Sequence, residues 1–387
     1  MNTDIPLSDG IHALPSPELM DPVARRLRAT YAITPGEPFV RREFGFYCLD
    51  RWHEQGLPDD ANFDEMFQYD LSGSHGLGHI GWCEAEFQPC FEEKILEDRG
   101  EHELVQDFAG RHVLYFKGRR NGFMPEYINH PVKNQKTWEE DVKWRLNPDS
   151  PERYQDLQTR MKDAQALAAR GMMISQGLIG GYMYLRSLIG PGDLLFKFHD
   201  DPALIHNCMK TWYELADAVI ASHQEHVTLD EIFFAEDICY NHGPLISPKM
   251  MREFLFPYYQ QIIANVRSRQ IDKERELYIQ IDTDGFANPV IPVYQEIGVN
   301  VMSPFEVASG CDVVQIGREY PDLVLTGGID KRVLAESREA IDEHLNYILP
   351  VMRERGGYIP TCDHGVPEEV SLDNYLYYRK RCIELGG

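Results

Sequence analysis

The stretch that decides the fold runs from Leu277 to Asp330, LYIQIDTDGFANPVIPVYQEIGVNVMSPFEVASGCDVVQIGREYPDLVLTGGID. Three short apolar runs, LYIQID, VNVMSP and LVLTGG, alternate with the helical patterns NPVIPVYQEIG and GCDVVQIGREYP. Short apolar runs bounded by turn signals suit strands buried on both faces. Their alternation with helices implies a parallel sheet covered by helices. The same alternation continues outward in both directions. Upstream, MMISQG (Met172–Gly177) and EIFFAED (Glu231–Asp237) each follow a helical run, and LISPKMMREF opens a further helix with Ser247 as cap and Pro248 at the first helical position. Downstream, a helical run with an apolar face ends in Arg and Gly before the last strand, YIP (Tyr358–Pro360). Strand ends near Asp237, Asp282, Ser303, Gly327 and Thr361 recur at intervals of roughly 20 to 45 residues, as in α/β barrels. No GxGxxG or GxxxxGK[ST] follows any strand, so the reading is α/β, a (β/α)8 TIM barrel, rather than a doubly wound sheet. The regular units occupy 151–387. Residues 1–150 are irregular, with short strand-like pieces such as HVLYFKG (His112–Gly118), and form an elaborated N-terminal part of one barrel domain spanning 1–387.

Composition bounds the function. The 387 residues carry 43% apolar side chains, including 18 Phe and 20 Tyr, enough for a sizeable core. A formal net charge of −24 disfavours nucleic acid and anionic membrane as partners. There is no run of about eighteen apolar residues, and Met1-Asn2-Thr3-Asp4 does not start an export signal, so a cytoplasmic protein is expected. Eight scattered Cys without a CxxC pair agree with a reducing compartment.

In a barrel the active site forms at the carboxyl ends of the strands. The polar residues there are Glu236 and Asp237, Asp282 and Asp284, Glu306, Asp330, and the triplet Cys362-Asp363-His364. Asp330, ahead of KRVLAES, reads as a helix cap. Asp237, Asp282 and Glu306 each end an apolar strand without opening an obvious helix, which marks them as functional. Asp284, Arg41 and Arg42 are candidate substrate contacts. Phe123 and Met124, in RRNGFMPEYINHP (Arg119–Pro131), either line an apolar pocket or simply pack. The triplet admits three readings: a packed Cys beside a hydrogen-bonded His, His364 as proton donor or substrate contact, or Cys362 and His364 sharing a metal with a carboxylate such as Glu306. A Cys-His nucleophile pair is disfavoured, because adjacent residues of an extended chain point to opposite sides.

The segments PFEVASGCDV, LTGGIDKRVLAES and IPTCDHGVPEEVSLDNYLYY resemble the uroporphyrinogen decarboxylase-like superfamily, as do AEDICYNHGPLISPKMMREFLFPYYQQI and DRWHEQGLP. The likeness is greatest to its corrinoid-dependent methyltransferase branch. It implies the same barrel fold, a small O- or N-methylated donor, a corrinoid (cobalamin) acceptor on a separate corrinoid-binding protein, and a homodimer. Two departures qualify it. The decarboxylases have an arginine-rich N-terminal signature, whereas VRREFGFYCLDRW offers Arg41, Arg42 and Arg51 without that signature. The thiol-activating methyltransferases bind zinc through His-x-Cys and a later Cys. Here the first position reads Asp282-Thr283-Asp284, and only Cys362 matches, so zinc would need other ligands. The expected activity is methyl transfer to a corrinoid, with Asp237, Asp282 and His364 as the catalytic group. Decarboxylation of a tetrapyrrole or smaller carboxylic acid is the alternative.

Overall fold

The computed structural model describes residues 13–118 and 125–387, so Phe123 and Met124 lie outside the described residues. The strands, in chain order, are β1 (Ser74–Ile80), β2 (Lys94–Arg99), β3 (His102–Gln106), β4 (His112–Phe116), β5 (Glu126–Asn129), β6 (Met173–Ile179), β7 (Glu231–Ala235), β8 (Cys239–Tyr240), β9 (Gly243–Pro244), β10 (Tyr278–Thr283), β11 (Val301–Pro304), β12 (Val324–Thr326) and β13 (Tyr358–Ile359). Seven of them form one sheet in the order β1-β6-β7-β10-β11-β12-β13, and every neighbouring pair is parallel. Sequential order with helices between strands is the barrel arrangement read from the sequence.

The eighth position is filled differently. The segment from Arg41 to Phe46 forms no regular strand and, among the described residues, makes one isolated parallel bridge, Phe46 to Val366. It is held in the seam by scattered bonds: the Asp70 N–H donates to the Arg41 carbonyl at 2.9 Å, and the Val366 N–H to the Gly45 carbonyl at 2.8 Å. One cavity of about 530 Å³ is lined by residues of β1, β6, β7, β10, β11 and β12 and also by Arg42, Glu43, Phe44 and Thr361. The sheet is therefore rolled around a lumen.

The floor of that lumen follows from local sequence. Asp21 caps the helix Pro22–Tyr31 by accepting the Val23 N–H at 2.9 Å. Leu27 and Tyr31 of this helix pack with Val40, Met173, Val301, Val324 and Ile359, a separate apolar layer drawn from several strands. Arg28 fastens the plug to buried Asp230 at 2.7 Å. At the opposite end, strand β12 passes so close to β11 that a Cβ on Gly327 would stand 1.9 Å from the Pro304 carbonyl oxygen, which only glycine tolerates.

The strand expected at HVLYFKG is β4, inside a four-stranded antiparallel sheet β2-β3-β4-β5. Buried Arg111 links this sheet to Glu84, in the chain after β1, at 2.7 Å. Ser247 caps its helix as read, accepting the Met250 N–H at 3.3 Å. Among the described residues, no helix is long and apolar enough to cross a membrane.

Candidate active site at the barrel mouth

The carboxyl ends of β7, β10 and β11 and the loops after β12 and β13 bring most of the predicted residues together. Asp282 and Asp284 leave β10 on the same side, because side chains alternate along a strand. The Asp282 carboxylate accepts the Ser303 hydroxyl, and Gln280 donates to that same hydroxyl at 2.8 Å, so three lumen residues form one chain. Burial pushes the Asp282 carboxyl up to about 6, and Asp237 adds to this against the Ser303 bond. Asp284 goes further, to about 8. Burial is the largest cause, followed by repulsion from Asp237, Asp282 and Glu306, while Lys331 opposes. Among the described residues no hydrogen bond reaches the Asp284 carboxyl. His364 Nε2 lies 3.6 Å from Asp284 Oδ2.

His364 is half-buried between two rings from the N-terminal segment, Phe44 at 5.0 Å and Tyr47 at 5.7 Å between centroids. Burial, and then the Lys331 charge, lower its pKa, which favours the neutral imidazole. The surroundings thus favour a protonated carboxyl at Asp284 and a neutral imidazole at His364.

Asp237 sits at φ +44°, a left-handed conformation that non-glycine residues rarely adopt, and it pairs with Arg186 at 2.7 Å. Glu306 accepts the Gly285 N–H at 2.8 Å and lies 3.6 Å from Lys331 Nζ. Lys331 also pairs with Asp363 at 3.2 Å. Asp363, fully buried, accepts the N–H groups of Val307 and Lys331 and so stitches two mouth loops together. Asp330, read as a helix cap, does not cap one: it accepts the Arg332 N–H at 2.9 Å and pairs with the Arg332 side chain, while the short helix Val333–Ala335 starts after Arg332 without a side-chain cap.

Two predicted residues, Cys362 and Arg41, stand apart. Cys362 is fully buried in the main core, its N–H donates to Glu43 Oε1 at 2.7 Å, and burial drives its thiol well above the ordinary range. A thiol so held is a poor metal ligand. Among the described residues no three His, Cys, Asp or Glu side chains are grouped to hold a metal, so Glu306, Cys362 and His364 do not fit a zinc site. The packed-Cys reading of the triplet is the one this geometry favours, with His364 separated from it. Arg41 is spent on Asp70, through its side chain at 3.0 Å and its backbone N–H at 2.8 Å. Arg42 alone of the early arginines lines the lumen, beside Tyr31 and Glu231.

Sequence reasoning missed Arg186 and Lys331, both cationic partners of mouth carboxylates. Arg186 lies inside an apolar helix, Gly181–Ile189, with no local signal of a role. It also missed Trp82 and Phe233, whose rings stack in parallel (5°) with centroids 5.6 Å apart on the lumen wall.

The uroporphyrinogen decarboxylase (URO-D) family model matches residues 125–384. The chain belongs to the uroporphyrinogen decarboxylase family. Among solved structures, a methyltransferase from Methanosarcina mazei aligns at a TM-score of 0.55 and 15% identity, over 93% of this chain and 98% of the other. A B12-independent methionine synthase from a Shewanella species aligns at a TM-score of 0.32 and 13% identity, over 58% of this chain and 65% of the other. No curated protein matches the chain. At such identity the first structure is similar in fold alone, and that fold is the α/β barrel described above.

Proposed function

We propose that this member of the uroporphyrinogen decarboxylase family is a methyltransferase that moves a methyl group from a small O- or N-methylated donor to a corrinoid carried by a partner protein. The observation that carries the proposal is the Asp284 carboxyl at the mouth, 3.6 Å from His364 Nε2 and without a hydrogen bond among the described residues, its pKa raised to about 8, chiefly by burial. Demethylation leaves an alkoxide, phenoxide or amide on the donor unless a proton arrives with bond cleavage. When bound, the reduced corrinoid supplies the nucleophile that accepts the methyl group. The chain's own residues do the rest. Asp284 gives its proton to the departing oxygen or nitrogen, and neutral His364 then hands a solvent proton back to Asp284. The Asp282-Ser303-Gln280 chain orients the donor. Asp237, fixed by Arg186, keeps negative charge beside Asp284 and so keeps its proton on. A cavity of about 530 Å³ suits a small donor and leaves the acceptor at the mouth.

The decarboxylase alternative is weaker for a tetrapyrrole, because Arg41 is tied to Asp70 and one lumen arginine cannot neutralise many carboxylates. Incubation with reduced corrinoid protein and a panel of methylated donors tests the reading. Methylated corrinoid should accumulate with wild type and not with Asp284→Asn. Carbon dioxide release from a porphyrinogen without corrinoid methylation would overturn it.

A further inference from the structure

The lumen beneath the mouth has its own chemistry, and it selects a shape and a charge. One wall is aromatic: Trp82 and Phe233 stack in parallel, and the His79 ring meets Trp82 edge-on at 4.7 Å. Beside them, Gly76 of β1 puts bare backbone on the lining, with only the Ser175 hydroxyl, at 3.8 Å, near where its Cβ would be. A flat ring wall next to a side-chain-free strip suits a planar ligand better than a globular one.

The charges sort unevenly. Each lumen carboxylate already has a donor within the protein. Glu231 accepts the Tyr31 hydroxyl at 2.7 Å, Glu43 accepts the Cys362 N–H and the Tyr375 hydroxyl, and Asp282 accepts Ser303. Burial raises the pKa of all three, favouring their neutral forms. Arg42, by contrast, brings a cationic guanidinium with a planar fork of N–H donors. Among the described residues it has no carboxylate within ion-pair distance; its neighbours are the Tyr31 hydroxyl, already donated to Glu231, and Glu231 itself. The Thr326 hydroxyl, on the same lining, has no partner among the described residues.

We infer that the lumen binds a planar aromatic ring carrying an anionic group, with the ring against Trp82 and Phe233 and the anion directed down to Arg42. The dimensions agree. Glu231 pairs with Tyr278 and Ala235 with Asp282 in the β7–β10 register, so the floor arginine and the mouth acids are separated by four strand residues, about 13 Å. That length takes one ring with a substituent at each end. Resting on the methyltransferase reading, the substrate class is an aromatic carboxylate bearing a methyl ether, its methyl group at the mouth end of the lumen beside Asp282.

Equilibrium binding measured by calorimetry separates this inference from the reaction. The probes are para-methoxybenzoate, its cyclohexane analogue, neutral para-methoxybenzyl alcohol and tetramethylammonium. Para-methoxybenzoate is expected to bind about tenfold or more tightly than each of the other three. Arg42→Gln should abolish the preference for acid over alcohol. Trp82→Leu, at a half-exposed position that tolerates change, should abolish the preference for the aromatic over the saturated ring. Equal binding of the saturated acid, tighter binding of tetramethylammonium, or absence of para-methoxybenzoate binding to wild type would overturn the inference. If the ring binds as stated but no corrinoid is methylated, the methyltransferase reading fails while the lumen assignment stands.

Discussion

The mouth of the barrel and the wall behind it each contain a carboxyl that keeps its proton near neutral pH, and they are built in opposite ways. Glu236, in the wall, is fully buried and pushed up to about 7 by burial alone, against a set of favourable bonds. It accepts the Tyr259 hydroxyl and the Tyr182 N–H, and it closes the start of the helix Gly181–Ile189. Asp284, at the mouth, owes part of its rise to three neighbouring carboxylates and makes no hydrogen bond among the described residues. One residue after Glu236, Asp237 turns into the mouth and is one of those neighbours. A shifted pKa is therefore not itself a sign of catalysis. A satisfied, sealed carboxyl holds the scaffold, whereas an unsatisfied one at the mouth can pass on its proton.

The sharpest way to break this comparison is to exchange the two residues' fates. Asp284→Asn should cost about 10²–10³-fold in methyl transfer with little change in thermal stability, measured by single-turnover assay and by unfolding. Glu236→Ala should do the reverse. It strands the Tyr259 hydroxyl and the Tyr182 N–H, and is expected to lower stability by about 2–4 kcal/mol in denaturant unfolding. Were Asp284→Asn the more destabilising of the two, the assignment of roles would be wrong.

Stability against pH sharpens the same contrast. Both carboxyls have folded-state pKa values above their unfolded ones, so the folded state binds more protons between about pH 4 and pH 8. Their contribution is complete below the unfolded carboxylate range and is lost as pH rises through about 7 for Glu236 and about 8 for Asp284. The melting temperature should fall between pH 5 and pH 8.5, and Glu236→Gln should flatten that fall. A melting temperature that rises over this range would contradict the shifts.

Two smaller effects concern residues that the sequence placed at the site. Cys362→Ala should lower stability by about 1–2 kcal/mol through lost packing, with no change in metal content by elemental analysis. A stoichiometric metal lost with this variant would restore Cys362 as a ligand. Arg41→Gln should cost about 1 kcal/mol by releasing Asp70, leaving ligand binding in the lumen as it was.

Much of the fold was legible because each strand–helix unit is local: an apolar run, a polar stop and a capped helix. Ser247 could be placed from its neighbours alone. The mouth acids were legible for the same reason, since a barrel puts every strand end on one rim. What escaped was set by distance along the chain. Arg186 meets Asp237 across two elements, and Trp82 stacks on Phe233 from a loop far upstream. Arg41 and Arg42 are adjacent and chemically identical, so only the turn of an extended segment decides which reaches the lumen. The sequence likewise put Cys362 and His364 two apart on one face, but the chain after β13 is no longer a regular strand there, and the thiol faces the core.

The account stands or falls on the proton at the mouth. Carbon-13 NMR of aspartate-labelled protein, with the Asp284 carboxyl identified by its loss in Asp284→Asn, would follow that group directly. The account predicts a titration midpoint near 8, moving down in Asp237→Asn as one repelling charge is removed. A midpoint in the ordinary carboxylate range near 4 would leave the mouth without a proton to give, and would contradict it.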